Sequence, residues 1–155
     1  MKLKELFESA GKSVADLDID YKGGDFDCSH ILLTSLEGAP SHVDGNFYCN
    51  NNQLTSLEGA PSHVDGNFCC YSNQLTSLEG IHKQIKTIAG AFFATYNPIK
   101  SHVLGLMLIN GITKIGLDNK QVEEILNRHL GKGRAGMLEA QEELIDAGLE
   151  EFAQL

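Results

Sequence analysis

Leu33-Thr-Ser-Leu-Glu-Gly-Ala-Pro-Ser-His-Val-Asp-Gly-Asn-Phe47 recurs without change as Leu54 to Phe68. Its first six residues, Leu-Thr-Ser-Leu-Glu-Gly, begin again at Leu75, so the period of the repeat is 21 residues. A period this short holds one short strand, a turn and an extended return, and it cannot hold a strand–helix–strand unit. The repeat therefore predicts a short parallel β-solenoid in which each copy forms one coil.

The side chains that point into the solenoid follow from the two-residue alternation of a strand. In the second coil Phe47 and Cys49 point inward, Leu54 and Leu57 follow, and Val64 closes the coil. The equivalent inward residues of the next coil are Phe68, Cys70, Leu75, Leu78 and Ile88. We expect each Phe to stack on the Phe of the preceding coil, and burial of one such ring stabilises the fold by roughly 1.5–3 kcal/mol.

Weaker copies extend the array in both directions. Stepping back by 21 residues gives Asp25 to Cys28, and stepping forward with three extra residues gives Gly90 to Ile99. A fifth strand is predicted within residues 112–117. The chain is thus expected to be α+β with three parts, which are an N-terminal helix and capping strand (residues 1–24), the solenoid (25–100) and a C-terminal helical cap (101–155).

Both ends of a solenoid need caps, because an open coil exposes apolar side chains and an unpaired strand edge. Residues 2–10 are amphipathic and predict a helix, and residues 18–20 predict a strand that enters the first coil. Residues 102–109 are apolar after His102 and are expected to be buried. Asp118 is the predicted N-cap of a helix over residues 119–130. A second helix is predicted over residues 134–147, and the inward residues of the two helices are Val122, Ile125, Leu126, Met137, Leu138, Ala140 and Leu144.

The motif Asn-x-Leu-Thr-Ser-Leu resembles the leucine-rich-repeat family, in particular its short bacterial repeats. It stands here as Asn52 to Leu57 and as Asn73 to Leu78, and the resemblance covers about residues 25–99. Glu58 replaces the proline of the family pattern, and Phe replaces the usual first inward leucine. The resemblance implies that one asparagine amide per coil bridges adjacent coils, at Asn52, Asn73 and Asn97.

A second resemblance concerns the Gly-Ala-Pro-Ser-His-Val-x-Gly-Asn-Phe unit and the tail from Leu117 to Leu126. Both are similar to uncharacterised accessory proteins of large tailed phages. This resemblance implies an accessory protein that acts in the cytoplasm of a host bacterium, and it carries no defined activity.

The charge is unevenly distributed within a net charge of −9 over 155 residues. Residues 25–80 carry seven acidic residues and no lysine or arginine, so direct binding to a phosphate backbone is not expected. The distribution fits a basic protein partner, and solubility alone is the alternative explanation. No apolar run approaches the roughly 18 residues of a membrane span, and the charged start is not typical of a signal peptide. A cytoplasmic protein is therefore expected.

Three short motifs match catalytic or ligand-binding patterns only by their letters. Residues 131–136 match a dinucleotide-binding fingerprint, but they join two predicted helices, whereas that fingerprint follows a strand. Cys28 lies near His30, but it belongs to the inward column and so cannot act as a nucleophile. Asp25 and Asp27 place two carboxylates on one face, and the next coils add no further carboxylate. No cofactor, metal or enzymatic activity is therefore expected.

The four cysteines are expected to be free thiols packed as small apolar residues. Cys28, Cys49 and Cys70 are spaced by 21 residues, and Cys69 precedes the last of them. A cysteine–histidine metal site is the alternative, although zinc sites usually have tighter local spacing.

The outward strand positions form the predicted binding surface, because repeat proteins usually bind their partners there. These positions combine aromatic and amide side chains with carboxylates at one end, a composition that interfaces favour. The predicted partner-binding residues are Asp25, Asp27, Asn46, Tyr48, Asn50, Asn67, Cys69, Tyr71 and Phe93. The leading hypothesis is a non-enzymatic protein-binding module, a phage accessory protein that inhibits a bacterial defence or toxin protein. An acidic nucleic-acid mimic, a self-associating scaffold and an enzyme with a cysteine or metal site are the alternatives.

Overall fold

A computed structural model describes residues 13–17 and 19–155. The described part contains eight short strands, which are β1 (Phe26–Asp27), β2 (His42–Val43), β3 (Phe47–Tyr48), β4 (His63–Val64), β5 (Phe68–Cys69), β6 (Thr87–Ile88), β7 (Ala91–Phe93) and β8 (Lys114–Gly116). It also contains the helices α1 (Ile81–Gln84), α2 (Lys120–Arg128) and α3 (Gly133–Asp146), with 3₁₀ turns at Val14–Leu17 and Leu104–Leu108.

The strands form two parallel sheets that run along the molecule. One sheet has the order β1-β3-β5-β7-β8 and the other has the order β2-β4-β6. Neighbouring strands are shifted by one repeat, so that Phe47 pairs with Phe68, and Phe68 pairs with Phe92. The fold is therefore an α+β protein built on a parallel β-solenoid of about four turns. The fifth strand that the sequence predicts within residues 112–117 is β8.

A column of stacked phenylalanines runs through the centre of the solenoid. The ring centroids are 5.9 Å apart between Phe26 and Phe47, 5.0 Å between Phe47 and Phe68, and 5.4 Å between Phe68 and Phe92. Rings at these separations interact beyond their area of burial, by roughly 0.5–1.5 kcal/mol per pair. The predicted stacking is confirmed, and three of the cysteines line the same core (Cys28, Cys49 and Cys70).

Buried asparagine amides connect each coil to the one before it. The Oδ1 atom of Asn52 accepts a hydrogen bond from the backbone N–H of Leu33 (2.9 Å). Its Nδ2 atom donates to the carbonyl of Cys28 (2.9 Å) and to that of Cys49 (3.0 Å). The same pattern repeats at Asn73 and Asn97. This series, the asparagine ladder, satisfies backbone groups that are buried at the bend, and it is the bridging that the resemblance to leucine-rich repeats implies.

The residue before each ladder position adopts a left-handed backbone conformation. The φ angles are 59° at His30, 56° at Asn51, 56° at Ser72 and 56° at Tyr96. A non-glycine residue in this region costs roughly 1–2 kcal/mol. At Asn51, Ser72 and Tyr96 the bond network of the following asparagine offsets that cost, whereas His30 is followed by Ile31, whose backbone N–H donates to Asn52 Oδ1 (3.1 Å). The bend therefore recurs at one position in each coil and turns these side chains toward the rim of the sheet.

Tyr21 covers the first coil at the N-terminal end. Its ring meets Phe26 edge-on at 5.6 Å, and its hydroxyl donates to the carbonyl of Gly24 (2.6 Å) and accepts from the backbone N–H of Asp44 (2.9 Å). The predicted helix over residues 2–10 and residue Asp18 lie outside the described residues. The prediction of a strand at residues 18–20 is wrong for Ile19 and Asp20, which are exposed and form no strand. The alternation there does not reflect pairing with another strand.

Two helices close the C-terminal end, with small differences from the prediction. The N-cap of α2 is Asn119, whose side chain accepts from the backbone N–H of Val122 (3.1 Å). Asp118, the predicted N-cap, instead accepts hydrogen bonds from the backbone N–H groups of Tyr96 (2.9 Å) and Asn97 (3.3 Å). Its carboxylate thereby lies at the C-terminal end of the asparagine ladder. Leu138 is 49% exposed, contrary to prediction, because the buried stripe of α3 lies on the neighbouring side of the helix. The other predicted inward residues of both helices are buried.

The last strand is paired on both sides, because α2 closes its free edge. The side chain of Asn127 accepts from the backbone N–H of Ile115 (2.7 Å) and donates to its carbonyl (2.8 Å). Glu123 accepts from the backbone N–H of Leu117 (3.0 Å). These side chains take the place of a further strand, so the sheet ends at β8 and offers no open edge there.

The Asn73→Ala variant should lower the free energy of unfolding by about 3 kcal/mol. The substitution leaves the buried backbone N–H of Leu54 without its partner, which costs roughly 1–3 kcal/mol. It also removes one of the two amide donors to the carbonyls of Cys49 and Cys70, and each lost hydrogen bond costs roughly 0.5–1.5 kcal/mol. Urea unfolding followed by circular dichroism measures the change. Gln74→Ala is the matched control, because this neighbouring side chain is exposed, and it should change stability by less than about 0.5 kcal/mol. Equal effects of the two substitutions would contradict the structural role of the ladder.

Candidate functional site

The outward side chains of the five-stranded sheet form one continuous surface, which we call the outer face. Its central row follows the strand register from Asp27 to Tyr48, Cys69, Phe93 and Gly116. Because neighbouring strands lie roughly 4.8 Å apart, these side chains form a compact strip across the solenoid. A carboxylate stands at one end of the strip and an aromatic ring near the other.

The aromatic residues of this strip are held in place but partly exposed. Tyr48, Tyr71 and Phe93 are half-buried. Phe93 reaches over the last coil because its partner in register is a glycine. A Cβ added to Gly116 would lie 3.0 Å from Phe93 Cδ1, so a larger residue at position 116 would displace the ring. The strip therefore presents rings that already have fixed positions, which lowers the entropy lost on binding.

Two predicted binding residues lie on the outer face but are buried. Cys69 is 5% exposed because its neighbours in register are the larger side chains of Tyr48 and Phe93. Asn50 is 3% exposed, and its Oδ1 atom has no hydrogen-bond partner among the described residues. A buried acceptor without a partner costs roughly 1–3 kcal/mol, so a donor group that reached Asn50 would bind favourably.

Three other predicted binding residues belong to a second ladder at the start of the strands. Asp25 Oδ1 accepts from the backbone N–H of Asn46 (2.7 Å), Asn46 Oδ1 accepts from that of Asn67 (2.7 Å), and Asn67 Oδ1 accepts from that of Ala91 (2.8 Å). Each residue that donates one of these N–H groups is preceded by a glycine, namely Gly45, Gly66 or Gly90. A Cβ at the glycine position would overlap the bridging oxygen. One oxygen of each of these three side chains is thus engaged in the fold.

Tyr96 extends the aromatic strip, and sequence reasoning did not identify it. Its side chain is 75% exposed, and the carboxylate of Asp118 holds its backbone N–H (2.9 Å). Strand alternation from Phe92 places residue 96 inward, but the left-handed bend turns it outward. The signal that could have found it is the bend itself, since His30, Asn51 and Ser72 occupy the same position in earlier coils.

Carboxylates surround one end of the outer face. Asp25 and Asp27 are exposed, and Asp27 also accepts from the backbone N–H of Ser29 (3.0 Å). Burial and then the nearby carboxylates raise the pKa of Tyr48, so its phenol is protonated at neutral pH and can donate a hydrogen bond. The arrangement offers aromatic contact, a hydroxyl donor and negative charge to a partner.

The thiols are not poised for nucleophilic chemistry. Burial raises the pKa of Cys28 to about 12 and that of Cys69 to about 11, and it also raises the pKa of Cys49 and Cys70. The reactive species is the thiolate, which is scarce at neutral pH when the pKa is this high. His30 is exposed and lies 3.3 Å from the Asn51 amide through its Nε2 atom.

Residues 131–136 carry no strand, because they connect α2 to α3 and α3 begins at Gly133. The Nζ atom of Lys132 lies 3.3 Å from the carboxylate of Glu139 on α3. This stretch therefore lacks the strand that a dinucleotide-binding turn requires.

Comparisons with models of protein families, with curated proteins and with solved structures yield no match. In the part of the chain that the structure describes, no helix combines the length and the apolar character needed to cross a membrane.

The native protein should react slowly with iodoacetamide at about pH 8. Raising a thiol pKa from 9.0 to about 12, as at Cys28, lowers the thiolate fraction roughly a thousandfold. The corresponding reduction at Cys69, with a pKa of about 11, is roughly a hundredfold. Mass spectrometry of timed samples measures labelling at each site, and protein in denaturant is the control. Rapid labelling of Cys28 in the folded protein would contradict its burial.

Proposed function

We propose that the protein is a non-enzymatic protein-binding module that contacts its partner through the outer face. The observation that carries this proposal is where two adjacent copies of the repeat differ. Residues 33–53 and 54–74 differ at three of 21 positions, which are Tyr48/Cys69, Asn50/Tyr71 and Asn51/Ser72. All three pairs lie on the outer face or at its rim. Positions that pack or bridge coils are identical, whereas the outward positions carry individual side chains.

The chemistry of this surface favours a partner with an apolar patch next to basic side chains. Exposed aromatic rings at the centre of an interface are the residues that most often dominate its binding energy. The carboxylates of Asp25 and Asp27 would attract Lys or Arg of the partner and orient it along the strip.

A narrower proposal is that the protein is a phage accessory protein that inhibits a bacterial defence or toxin protein. Its support is the resemblance of the repeat unit and of the tail from Leu117 to Leu126. Inhibition by occlusion would need only a rigid surface, which a solenoid provides, and no catalytic group of its own.

Replacing the three central aromatic residues should abolish partner binding without unfolding the protein. We expect Tyr48→Ala, Tyr71→Ala and Phe93→Ala together to weaken binding at least about a hundredfold, since one aromatic anchor contributes roughly 2 kcal/mol or more. Affinity capture from bacterial lysate at moderate salt, followed by mass spectrometry, identifies the partner. Calorimetry with the purified partner then measures the affinity, and circular dichroism verifies the fold.

The matched control is Thr34→Ala, Thr55→Ala and Thr76→Ala, which shortens three exposed side chains at equivalent positions of three coils. This variant should bind as the wild type does. Retained binding by the aromatic variant would show that the outer face is not the contact surface. If the wild type captures nothing and light scattering shows a dimer that the aromatic variant loses, the surface serves self-association instead.

A second candidate function is an acidic mimic of a nucleic acid. The observation in its favour is that the seven acidic residues within residues 25–80 are all exposed, while this range has no lysine or arginine.

This candidate predicts that binding depends mainly on charge. Affinity for the partner should then fall about tenfold or more between about 0.1 M and 1 M salt, as the Debye length shortens from about 10 to 3 Å. Calorimetry at both salt concentrations measures the change. An affinity that is insensitive to salt, but is lost in the aromatic variant, would exclude the mimic and support the binding module.

A further inference from the structure

A cluster of three polar side chains lies outside the outer face, on the three-stranded sheet. The Nε2 atom of His42 is 3.0 Å from Asp65 Oδ2 and 3.9 Å from Asp44 Oδ1. One donor atom from each residue lies within 4.8 Å of the other two. All three side chains are exposed, and we call them the His–Asp cluster.

The repeat itself builds this cluster. The sequence Ser-His-Val-Asp-Gly occurs in two adjacent coils, and strand pairing places Val43 beside Val64. Both valines are fully buried, so the histidine and aspartate on either side of each valine point to solvent. The backbone N–H of Asp65 donates to the carbonyl of Val43 (2.9 Å), which holds Asp65 opposite Asp44. The donor atoms are thus positioned by the fold rather than by flexible loops.

We propose that His42, Asp44 and Asp65 bind one divalent transition-metal ion, such as Zn²⁺ or Co²⁺, with water completing the coordination. Imidazole nitrogen combined with carboxylate oxygen is a donor set that these ions accept, whereas Ca²⁺ and Mg²⁺ prefer oxygen alone. Metal–ligand distances of roughly 2.0–2.2 Å in a tetrahedral site place donor atoms about 3–3.5 Å apart. The distances from His42 Nε2 are 3.0 and 3.9 Å and all three donor atoms lie within 4.8 Å of one another, so side-chain rotations of these exposed residues bring the three donors to one ion.

The electrostatics of the cluster favour a cation over a simple ion pair. Asp44 and Asp65 stand opposite each other on neighbouring coils, and like charges in that arrangement are destabilising. Residues 25–80 contain no lysine or arginine to offset them. One imidazole contacts both carboxylates and carries at most one positive charge. A dication would neutralise both.

The next coil provides an internal control for this proposal. His63 has the same local sequence as His42, but its neighbours in the following coil are Thr87 and Ala89. Its Nδ1 atom lies 2.7 Å from Thr87 Oγ1. Ala89 stands opposite Asp65 in that pair of coils, so His63 lacks the cross-strand carboxylate that Asp65 provides to His42. The same pentapeptide therefore creates one site and not two.

Calorimetric titration of the full-length protein, without an affinity tag, with Zn²⁺ tests the site. We expect one ion per chain. His42→Ala and Asp65→Asn should each weaken binding at least about tenfold, which is about 1.4 kcal/mol. His63→Ala should stay within about twofold of the wild type. All three side chains are exposed, so the variants should fold, and circular dichroism verifies this. The absorption spectrum with Co²⁺ should lack a thiolate charge-transfer band.

A rescue variant separates the geometric argument from a general effect of charge. Adding Ala89→Asp to the His42→Ala protein moves the three-donor arrangement one coil along, to His63, Asp65 and position 89. Binding of one Zn²⁺ ion should return. The proposal is overturned if Zn²⁺ does not bind, if His42→Ala binds as the wild type does, if the Co²⁺ spectrum shows thiolate ligation, or if the rescue variant fails to regain binding.

Discussion

The bridging amide of the asparagine ladder is the interaction on which the rest of the molecule depends. Each amide satisfies a carbonyl of its own coil together with a carbonyl and an N–H of the coil before it. A slip of one residue would break these bonds in every coil and turn the phenylalanine column toward solvent. This explains how strands of only two or three residues suffice. The asparagine bonds fix the register of these short strands. The same register aligns the stacked rings, the outer face and the His–Asp cluster.

The two ladders also determine which positions are free to vary. Residues whose side chains bridge coils, such as Asn46 and Asn73, bond backbone groups of a neighbouring coil and so cannot change alone. Outward side chains at the centre of the strip bridge nothing, and there the adjacent copies differ. Tyr48 and Cys69 show this freedom within one column of the sheet. A surface built in this way can acquire specificity without any adjustment of the core beneath it.

The sequence predicts the features that depend on periodicity, and it fails where a local contact decides. The coils and the phenylalanine stacking follow directly from a 21-residue period, and the ladder is what the resemblance to leucine-rich repeats implies. The exposure of Tyr96 does not, because strand alternation ends at a left-handed bend that the period alone cannot reveal. The burial of Cys69 depends on the size of its neighbours in adjacent coils. The predicted N-cap of α2 was wrong by one residue, because the carboxylate of Asp118 accepts hydrogen bonds from backbone N–H groups at the end of the asparagine ladder instead. The His–Asp cluster was missed because His42 and Asp65 are 23 residues apart in the chain.

The three extra residues between the third and fourth coils have a consequence for how such a chain can change in length. They are absorbed near α1, on the return side, and Phe68 still pairs with Phe92 across them. Short insertions are therefore tolerated wherever no ladder residue lies. On the ladder side only a whole unit can be added, because every coil supplies the bonds that its neighbour requires. Duplication of the gene segment that encodes one 21-residue repeat would lengthen the molecule by one coil and leave no buried polar group without a partner. A family of such proteins would therefore differ by whole numbers of coils.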